Sequence, residues 1–357
     1  MNLDTYTLLK DLTGADAPSG YEKEAREVLA GYLKAAGELS TDKLGSLICR
    51  QQGSAVAPKI MLAAHMDEIG FMVKNITSGG FIKFLPLGGW FSQVLPAKRV
   101  KVKTARGPIP GVIGSKPPHL MTAGEQKKPL AMEDLFIDIG AGSRKEAERF
   151  GVRPGDPIVP VFEFTVLKNP DLLAGKAFDN RAGCAVLTKV LHKLKKEKHP
   201  NTVYGTATVQ EEVGLRGAHT AAFEVAPDAA IILECRIAND FPGVDAQDIY
   251  SRMGKGPQIT FHDPGMIPNR KFRDLVVKTA KEENIPCQIY AVNTGGTDAG
   301  VVHKSRSGVP SIVIGVPVRY FHSHAGILRR SDFEQVVSLV TEVVKRMDDA
   351  VVSGFTE

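Results

Sequence analysis

The sequence has few cysteines and no long apolar run. Its 357 residues include four cysteines, none in a Cys-x-x-Cys pair, which argues against a disulfide framework and against a thiolate zinc site. No stretch is long and apolar enough to span a bilayer. The opening segment MNLDTYTLLKDLTG lacks the apolar core of a signal peptide, so we expect a cytoplasmic protein that does not bind membranes.

Neither sign of charge dominates the chain. Lysine and arginine number 45 and aspartate and glutamate 40, which gives a formal net charge of +5. The basic run KVLHKLKKEK, residues 189–198, has apolar residues at helical spacing, which indicates a solvated helix face and no nucleic-acid partner. Because no Gly-x-Gly-x-x-Gly follows a predicted strand, we also expect no dinucleotide cofactor.

The length and the pattern of the chain predict two domains. A chain of 357 residues exceeds the usual size of a single core. Helix and strand patterns alternate along residues 1–70 and 167–357, and residues 71–166 carry short β-rich runs separated by glycine and proline. We therefore predict an α/β domain built from both ends of the chain, interrupted by a smaller β-rich domain. Ser19 and Glu22 have the spacing of a capping box that opens a helix.

Two adjacent acidic residues, Glu211 and Glu212, follow a β-branched run at residues 203–209. Neighbouring residues of an extended segment point to opposite sides. We therefore predict that one of these carboxylates turns towards a metal ion and that the other faces the substrate and acts as a base.

Other residue types that bind metals stand at the ends of predicted strands: His65, Asp179, Glu234 and His322. Open α/β sheets bind ligands at the carboxyl ends of their strands. Asp67 follows His65 by two residues, on the same side of an extended segment, where it can hold the imidazole by its other nitrogen. Imidazole and carboxylate without thiolate suit zinc, cobalt or manganese, so the pattern predicts a hydrolytic site with two metal ions.

Each of these residues also has a simpler explanation when it is taken alone: a core histidine, a helix cap or a solvated strand end. Two other functions use part of the same pattern. A glycoside hydrolase would use the carboxylates but would leave the histidines without a role. A non-catalytic metal-binding scaffold would not need a base, and the base position here is a glutamate.

Six segments, taken in chain order, resemble the motifs of the M42 family of dinuclear metallo-aminopeptidases, a group that includes glutamyl aminopeptidases and tetrahedral TET peptidases. Together they extend over nearly the whole chain, and six ordered motifs are more specific than any one of them. The segments are HMDEIG (65–70), GKAFDNRAG (175–183), VQEEVGLRGA (209–218), LECRIANDFPG (233–243), NTGGTDAG (293–300) and PVRYFHS (317–323).

The resemblance implies an aminopeptidase-type layered αβα domain with a mixed sheet. It implies that the inserted β-rich domain is PDZ-like or barrel-like and mediates dimerisation, and that dimers assemble into a hollow dodecamer. The implied activity is the removal of N-terminal residues from short peptides. The implied cofactors are two divalent metal ions per subunit, zinc or cobalt in the first place and manganese as a further candidate.

The resemblance also implies a role for each residue of the pattern. Glu211 would be the general base, and Asp67 would lie behind His65. Glu234 stands where family members often have aspartate, and His324 adds a further imidazole two residues beyond His322. The metal ligands would be two terminal pairs and one bridge, namely His65 with Glu234, Glu212 with His322, and Asp179 between the metals.

Overall fold

A computed structural model describes residues 3–356, and in this part of the chain no helix is both long and apolar enough to cross a membrane. The α-helices are α1 Thr5–Gly14, α2 Lys23–Leu33, α3 Ala123–Gln126, α4 Arg144–Phe150, α5 Phe178–Leu194, α6 Arg216–Val225, α7 Arg270–Glu282, α8 Ala299–Val302, α9 Arg330–Lys345 and α10 Asp349–Ser353. The β-strands are β1 Glu38–Thr41, β2 Leu47–Gln52, β3 Lys59–His65, β4 Gly70–Ile76, β5 Ile82–Leu87, β6 Arg99–Thr104, β7 Gly107–Gly114, β8 Phe136–Asp138, β9 Pro157–Pro160, β10 Thr165–Val166, β11 Leu172–Gly175, β12 Thr202–Thr208, β13 Ala229–Ile237, β14 Gln258–His262, β15 Gln288–Ala291, β16 Ser311–Arg319 and β17 Gly326–Arg329.

Eleven strands form one mixed sheet. Nine of them follow the order β1-β2-β12-β3-β13-β16-β17-β11-β10, and β14 pairs with β16 and with β15. The central strands β12, β3, β13 and β16 run parallel, and antiparallel strands extend the sheet on both sides. Strand β13 has the sequence AAIILECRI and is buried up to its last residue. A nearly continuous apolar run is typical of a parallel strand covered on both faces, which explains its place at the centre.

Helices cover both faces of this sheet. Along β3, Ile60 and Leu62 pack into a core with α1, α2, α5, α7 and α9, and Met61 and Ala63 pack into a second core with α6 and α8. Alternate residues of a strand point to opposite faces, so one apolar strand contributes to both cores. The predicted layered αβα architecture with a mixed sheet is confirmed.

The remaining six strands close into a separate antiparallel barrel in the order β4-β5-β8-β7-β6-β9. Its interior is a distinct apolar cluster with Phe71, Ile82, Val102, Ile137 and Ile158 fully buried. Closure pairs every strand edge, which explains how such short strands form a stable unit. The barrel-like form expected for the β-rich region is confirmed.

The domain boundaries at residues 71 and 166 stay a prediction. The separate apolar core of the barrel supports an inserted domain over this range. At the end of the range, Thr165 and Val166 form β10, which pairs with β11 of the large sheet. The chain has therefore rejoined the large sheet before residue 167.

Ion pairs attach the barrel to the α/β part of the chain. Lys101 on β6 donates a hydrogen bond to Asp16, which precedes α2. The same carboxylate lies 3.2 Å from Nζ of Lys176, and that nitrogen lies 2.7 Å from Oε1 of Glu68. Lys176, Asp16 and Glu68 are all buried, so each charge has a partner in a region where an unpaired charge would be costly.

The predicted capping box is wrong. Helix α2 begins at Lys23, and its N-cap residue, Glu22, makes no capping hydrogen bond with its side chain. Ser19 lies in a turn ahead of the helix and donates its hydroxyl hydrogen bond to Asp67. The two polar side chains that fit the capping pattern instead contact the functional site.

Candidate active site

The predicted site residues meet at one edge of the large sheet. His65 ends β3, Glu234 lies near the end of β13, and His322 follows β16. Because these strands are parallel, their carboxyl ends lie at the same edge, where open α/β sheets bind ligands. All of the predicted metal ligands and the predicted base line one cavity of about 550 Å³: His65, Asp179, Glu211, Glu212, Glu234 and His322.

Asp179 occupies the middle of this group. Its Oδ1 lies 3.2 Å from Nε2 of His65, and its Oδ2 lies 3.2 Å from Nε2 of His322. Beyond the first histidine, Oε1 of Glu234 lies 3.5 Å from Nε2 of His65. Beyond the second, Oε1 of Glu212 lies 3.4 Å from Nε2 of His322. The result is two groups of three donors that share Asp179, and within each group the donor atoms lie within 4.8 Å of one another.

Glu211 belongs to a third such group, with His65 and Glu212. Its Oε2 lies 3.9 Å from Nε2 of His65, farther than the nearest oxygens of Asp179 and Glu234. Distance alone therefore allows Glu211 to act as a ligand or as a base.

The expectation that Glu211 and Glu212 face opposite sides of a strand is wrong. Strand β12 ends at Thr208, and Gln210 has a φ of +54°, so the backbone turns before it reaches the two glutamates. Both carboxylates consequently line the same cavity. The β-branched run predicted the strand correctly but could not predict the left-handed residue that ends it.

Burial and crowding disfavour the ionised form of several carboxylates at the site. Burial, together with the charge of Asp179, raises the pKa of Glu212 to about 8. Burial also raises the pKa of Glu211 well above its ordinary value and that of Asp298 to about 7. Against the opposing effect of burial, Asp179 raises the pKa of His322 to about 9. A bound cation would favour the ionised carboxylates and the neutral imidazoles, so these shifts fit a site for cations.

Asp67 lies directly behind His65. Nδ1 of the imidazole is 3.1 Å from the carbonyl oxygen of Asp67 and 3.3 Å from its carboxylate, which leaves Nε2 facing the cavity. This is the arrangement that orients metal-binding histidines in proteins. Asp67 is fully buried, and it also accepts hydrogen bonds from the backbone amides of Glu211 at 3.0 Å and Glu212 at 3.2 Å.

Two residues that the sequence did not identify as functional support the turn that carries the glutamates. The Ser19 hydroxyl donates to Oδ2 of Asp67 at 2.6 Å. Oε1 of Glu22 accepts from the amide of Gln210 at 3.0 Å. Carboxylates thus accept from three consecutive backbone amides, residues 210–212, and hold the strained turn in place.

We predict that Ser19→Ala lowers kcat several-fold without removing bound metal. Loss of the hydrogen bond leaves a buried carboxylate less well held, and should lower the free energy of unfolding by about 1–3 kcal/mol. Ser143→Ala is the matched control, because Ser143 caps α4 in the barrel through the amide of Glu146. The control should lose about 1 kcal/mol of stability with kcat unchanged. An unchanged kcat in Ser19→Ala would contradict the positioning role.

The segment after β5 forms one wall of the cavity. The carbonyl oxygen of Gly89 accepts a hydrogen bond of 2.8 Å from Nδ1 of His322, so that Nε2 faces Asp179. Gly88 has a φ of +84°, and a β carbon there would lie 3.0 Å from Oε2 of Glu212. Glycine therefore allows this backbone to approach the site closely.

His324 lies apart from the donor groups. It is buried and packs against Trp90, with ring centroids 5.5 Å apart, and it belongs to none of the three clusters of metal-binding atoms found in residues 3–356. Between the two candidate histidines, the geometry favours His322.

Histidines and carboxylates gathered at the carboxyl edge of an open α/β sheet are typical of metal-dependent hydrolases. Comparison with known proteins identifies the family. A family model described as M42 glutamyl aminopeptidase matches residues 45–339, and a model described as AMPT matches residues 4–29. The glutamyl aminopeptidase of Lactococcus lactis subsp. cremoris (strain MG1363) is 35% identical over 350 residues, with 97% of each chain covered.

Two solved structures are similar over almost the whole chain. The TET aminopeptidase from the marine sediment archaeon Thaumarchaeota archaeon SCGC AB-539-E09 is 46% identical, with a TM-score of 0.96 and 98% of each chain covered. The TET1 peptidase of Pyrococcus horikoshii, which can assemble into a tetrahedron or a large octahedral shell, is 32% identical with a TM-score of 0.85. That match covers 96% of this chain and all of the other.

The chain belongs to the M42 family of aminopeptidases. It is therefore a peptide-bond hydrolase of a family that uses divalent metal ions.

Proposed function

We propose that this protein is a dinuclear metal-dependent aminopeptidase that removes N-terminal residues from short peptides. The position of Asp179 carries the proposal, because each of its two oxygens faces a different histidine at 3.2 Å. A carboxylate in this position can bridge two metal ions, one on each side. His65 and Glu234 would hold one ion beside Asp179, and Glu212 and His322 would hold the other.

The donor atoms fit two divalent cations. Oε1 of Glu212 is buried and accepts no hydrogen bond from the described residues, although it and Oδ2 of Asp179 both lie within 3.4 Å of Nε2 of His322. Imidazole and carboxylate donors suit zinc or cobalt, and they also accept manganese. When bound, such ions lower the pKa of water and stabilise the negative charge that develops on the carbonyl oxygen.

Glu211 is the general base in this proposal. Its carboxylate lies in the cavity beside the two donor groups, where it can accept a proton from the attacking water and return it to the leaving amine. Asp67 acts through other residues, since it orients His65 and holds the amides of Glu211 and Glu212.

Restriction to N-terminal residues would follow from the free α-amino group of the substrate. That group would bind one of the metal ions in its neutral form or contact a carboxylate of the lining, which a blocked amine cannot do. An internal peptide bond would bring an uncharged amide into this position.

A panel of chromogenic aminoacyl substrates tests the proposal. The enzyme is stripped of metal with a chelator and then supplied with zinc, cobalt or manganese singly. We expect hydrolysis of free aminoacyl substrates after readdition and none of the same substrates with an acetylated amine. Activity that survives complete metal removal would rule out the proposed mechanism.

We further propose that the inserted domain, residues 71–166, mediates dimerisation and that the dimers assemble into a dodecamer. The assembly of the TET1 relative supports this, as does exposed apolar surface on the barrel region, including Phe91 at 58% and Leu120 at 69% exposed. The neighbouring Trp90 is partly buried against Phe71 and donates to the carbonyl of Gly70. Phe91 therefore offers the better test.

We predict that Phe91→Asp weakens subunit association, because a charge replaces an exposed aromatic side chain in the proposed interface. Light scattering should show an oligomer for the unaltered protein and a smaller mass for the variant. Phe223→Asp is the matched control, since Phe223 is 59% exposed but lies on α6, and it should leave the barrel contact intact. A fully active monomer at working concentration would contradict the assembly.

A further inference from the structure

The two candidate histidine ligands are held in place by different parts of the chain. The side chain of His65 is 2% exposed, and the carbonyl and carboxylate oxygens of Asp67 lie beside its Nδ1. The side chain of His322 is 36% exposed, and the only partner of its Nδ1 among the described residues is the carbonyl oxygen of Gly89, at 2.8 Å. Gly89 follows strand β5 of the barrel. One imidazole is therefore oriented by the α/β part of the chain and the other by the barrel.

The loop that carries His322 does not fix the side chain by itself. His322 has a φ of +55°, and Tyr320, two residues earlier, has a φ of +61°. Such left-handed residues are uncommon outside glycine, and they persist where the surrounding structure holds them. Gly89 and the His322 side chain both reach solvent, so water can compete for the hydrogen bond between them. The bond therefore depends on a carbonyl whose position is fixed by other contacts.

The backbone at residues 88 and 89 lies against both terminal donors of one metal-binding group. We call this group the second donor group: Asp179, Glu212 and His322. A β carbon at Gly88 would lie 3.0 Å from Oε2 of Glu212, and one at Gly89 would lie 3.1 Å from Nδ1 of His322. Glycine at both positions lets the backbone come this close. A shift of this short segment would consequently disturb two of the three donors.

Trp90 anchors this segment to the barrel. Its ring stacks on that of Phe71, which is fully buried in the barrel core, with ring centroids 4.7 Å apart and planes 20° apart. Its Nε1 donates a hydrogen bond of 2.9 Å to the carbonyl oxygen of Gly70. The ring of His324, from the loop that carries His322, lies 5.5 Å from the ring of Trp90. Trp90 therefore connects the barrel core with that loop.

His324 fits a packing role better than a ligand role. It is 4% exposed, and neither of its ring nitrogens has a hydrogen-bond partner among the described residues. It also belongs to none of the clusters of metal-binding atoms found in these residues. Its contribution is the contact of its ring with Trp90.

We propose that Trp90 and His324 are positioning residues for the metal ion of the second donor group. Trp90 fixes the carbonyl of Gly89, and this carbonyl orients His322 so that its Nε2 faces the cavity. His324 holds the ring of Trp90 against the same loop. The inference rests on the proposed function, since it requires an ion in each donor group. The barrel would thus complete the metal site, in addition to the subunit contact proposed above.

Calorimetric titration of the metal-free protein with cobalt tests the positioning role. We expect two binding events in the unaltered protein. Trp90→Ala should weaken one of them about tenfold or more and leave the other unchanged, because groups that orient metal-binding histidines affect metal affinity on this scale. Trp90→Phe should restore most of the affinity, because phenylalanine can keep the stack on Phe71 without the indole N–H group. Phe136→Ala is the matched control: it removes a partly buried barrel ring that packs on Phe81, and both affinities should stay unchanged.

A double-variant cycle identifies the ion that is affected. In His322→Ala the second donor group has lost its imidazole, so the addition of Trp90→Ala should not weaken the binding of the remaining ion any further. A fall in the affinity for that ion would mean a general loss of structure and would overturn the positioning role.

Two variants of His324 separate packing from metal binding. His324→Phe keeps an aromatic ring against Trp90 but has no nitrogen, so it should bind two ions with the affinities of the unaltered protein. His324→Ala should weaken the same binding event as Trp90→Ala, and it carries the test if circular dichroism shows that Trp90→Ala does not fold. Loss of an ion from folded His324→Phe would make His324 a ligand and would overturn the inference.

Failure of the inference and failure of the proposed function give different results. Two ions bound to folded Trp90→Ala with the affinities of the unaltered protein would reject the inference and leave the dinuclear function standing. A single binding event in the unaltered protein would reject the dinuclear function, and the inference with it.

Discussion

Glu211→Gln should lower kcat by about 10²-fold or more and leave the metal content unchanged. Glutamine keeps the shape of the side chain and its place in the turn, but it cannot accept a proton from the attacking water. Metal analysis and steady-state kinetics on the same preparation give both readouts. The metal content decides whether Glu211 is a metal ligand or a base. The geometry allows both roles, because the donor atoms of Glu211, His65 and Glu212 lie within 4.8 Å of one another.

Glu224→Gln is the matched control for this variant. Glu224 is an exposed residue on α6, so the same chemical change there should alter neither kcat nor metal content. Loss of metal from Glu211→Gln would make Glu211 a ligand rather than a base. Full activity with metal bound would leave the reaction without the proton acceptor that we assign.

Asp179→Ala should lose at least one metal ion per chain and most of the activity. The carboxylate is shared between both donor groups, so its removal takes one donor from each and leaves two cations without the anion between them. Elemental analysis after gel filtration measures the metal content, and thermal unfolding shows whether the fold survives.

Asp171→Ala provides the comparison. Asp171 pairs with Arg329 and accepts from Ser331, outside the donor groups, so its loss should lower stability but should not release metal. Two metal ions still bound to folded Asp179→Ala would contradict the bridging role.

The strand-end positions of the site were predictable from the sequence because the underlying strands are strongly apolar. Residues 229–233 read as a buried parallel strand, and that strand brings Glu234 to the carboxyl edge of the sheet. His65 reaches the same edge for the same reason, at the end of β3. Neither placement depends on a loop, so local pattern and topology were sufficient.

The parts of the site built from turns were not predictable in the same way. The positive φ of Gln210 reverses the expected orientation of one glutamate, and no glycine or asparagine marks this residue in the sequence. Ser19 and Glu22 fit a helix cap locally, and only the folded chain brings them to Asp67 and Gln210. Long-range contacts of this kind carry no short-range signal.

Arg236 shows a further limit of the sequence. A charged residue near the end of a strand ordinarily reaches solvent, and nothing in its neighbours along the chain distinguishes it. Its burial depends on Gly315 and Tyr290, which come from β16 and β15. The burial of such a residue becomes visible only when the three strands β13, β15 and β16 are placed together.

The number of metal ions required for activity tests the central claim most directly. The enzyme is stripped with a chelator, dialysed and titrated with zinc or cobalt, and bound metal and peptide hydrolysis are followed together. We predict that activity rises with bound metal and reaches its maximum at two ions per chain. Full activity with one ion bound, or activity in the metal-free protein, would contradict the dinuclear site built around Asp179.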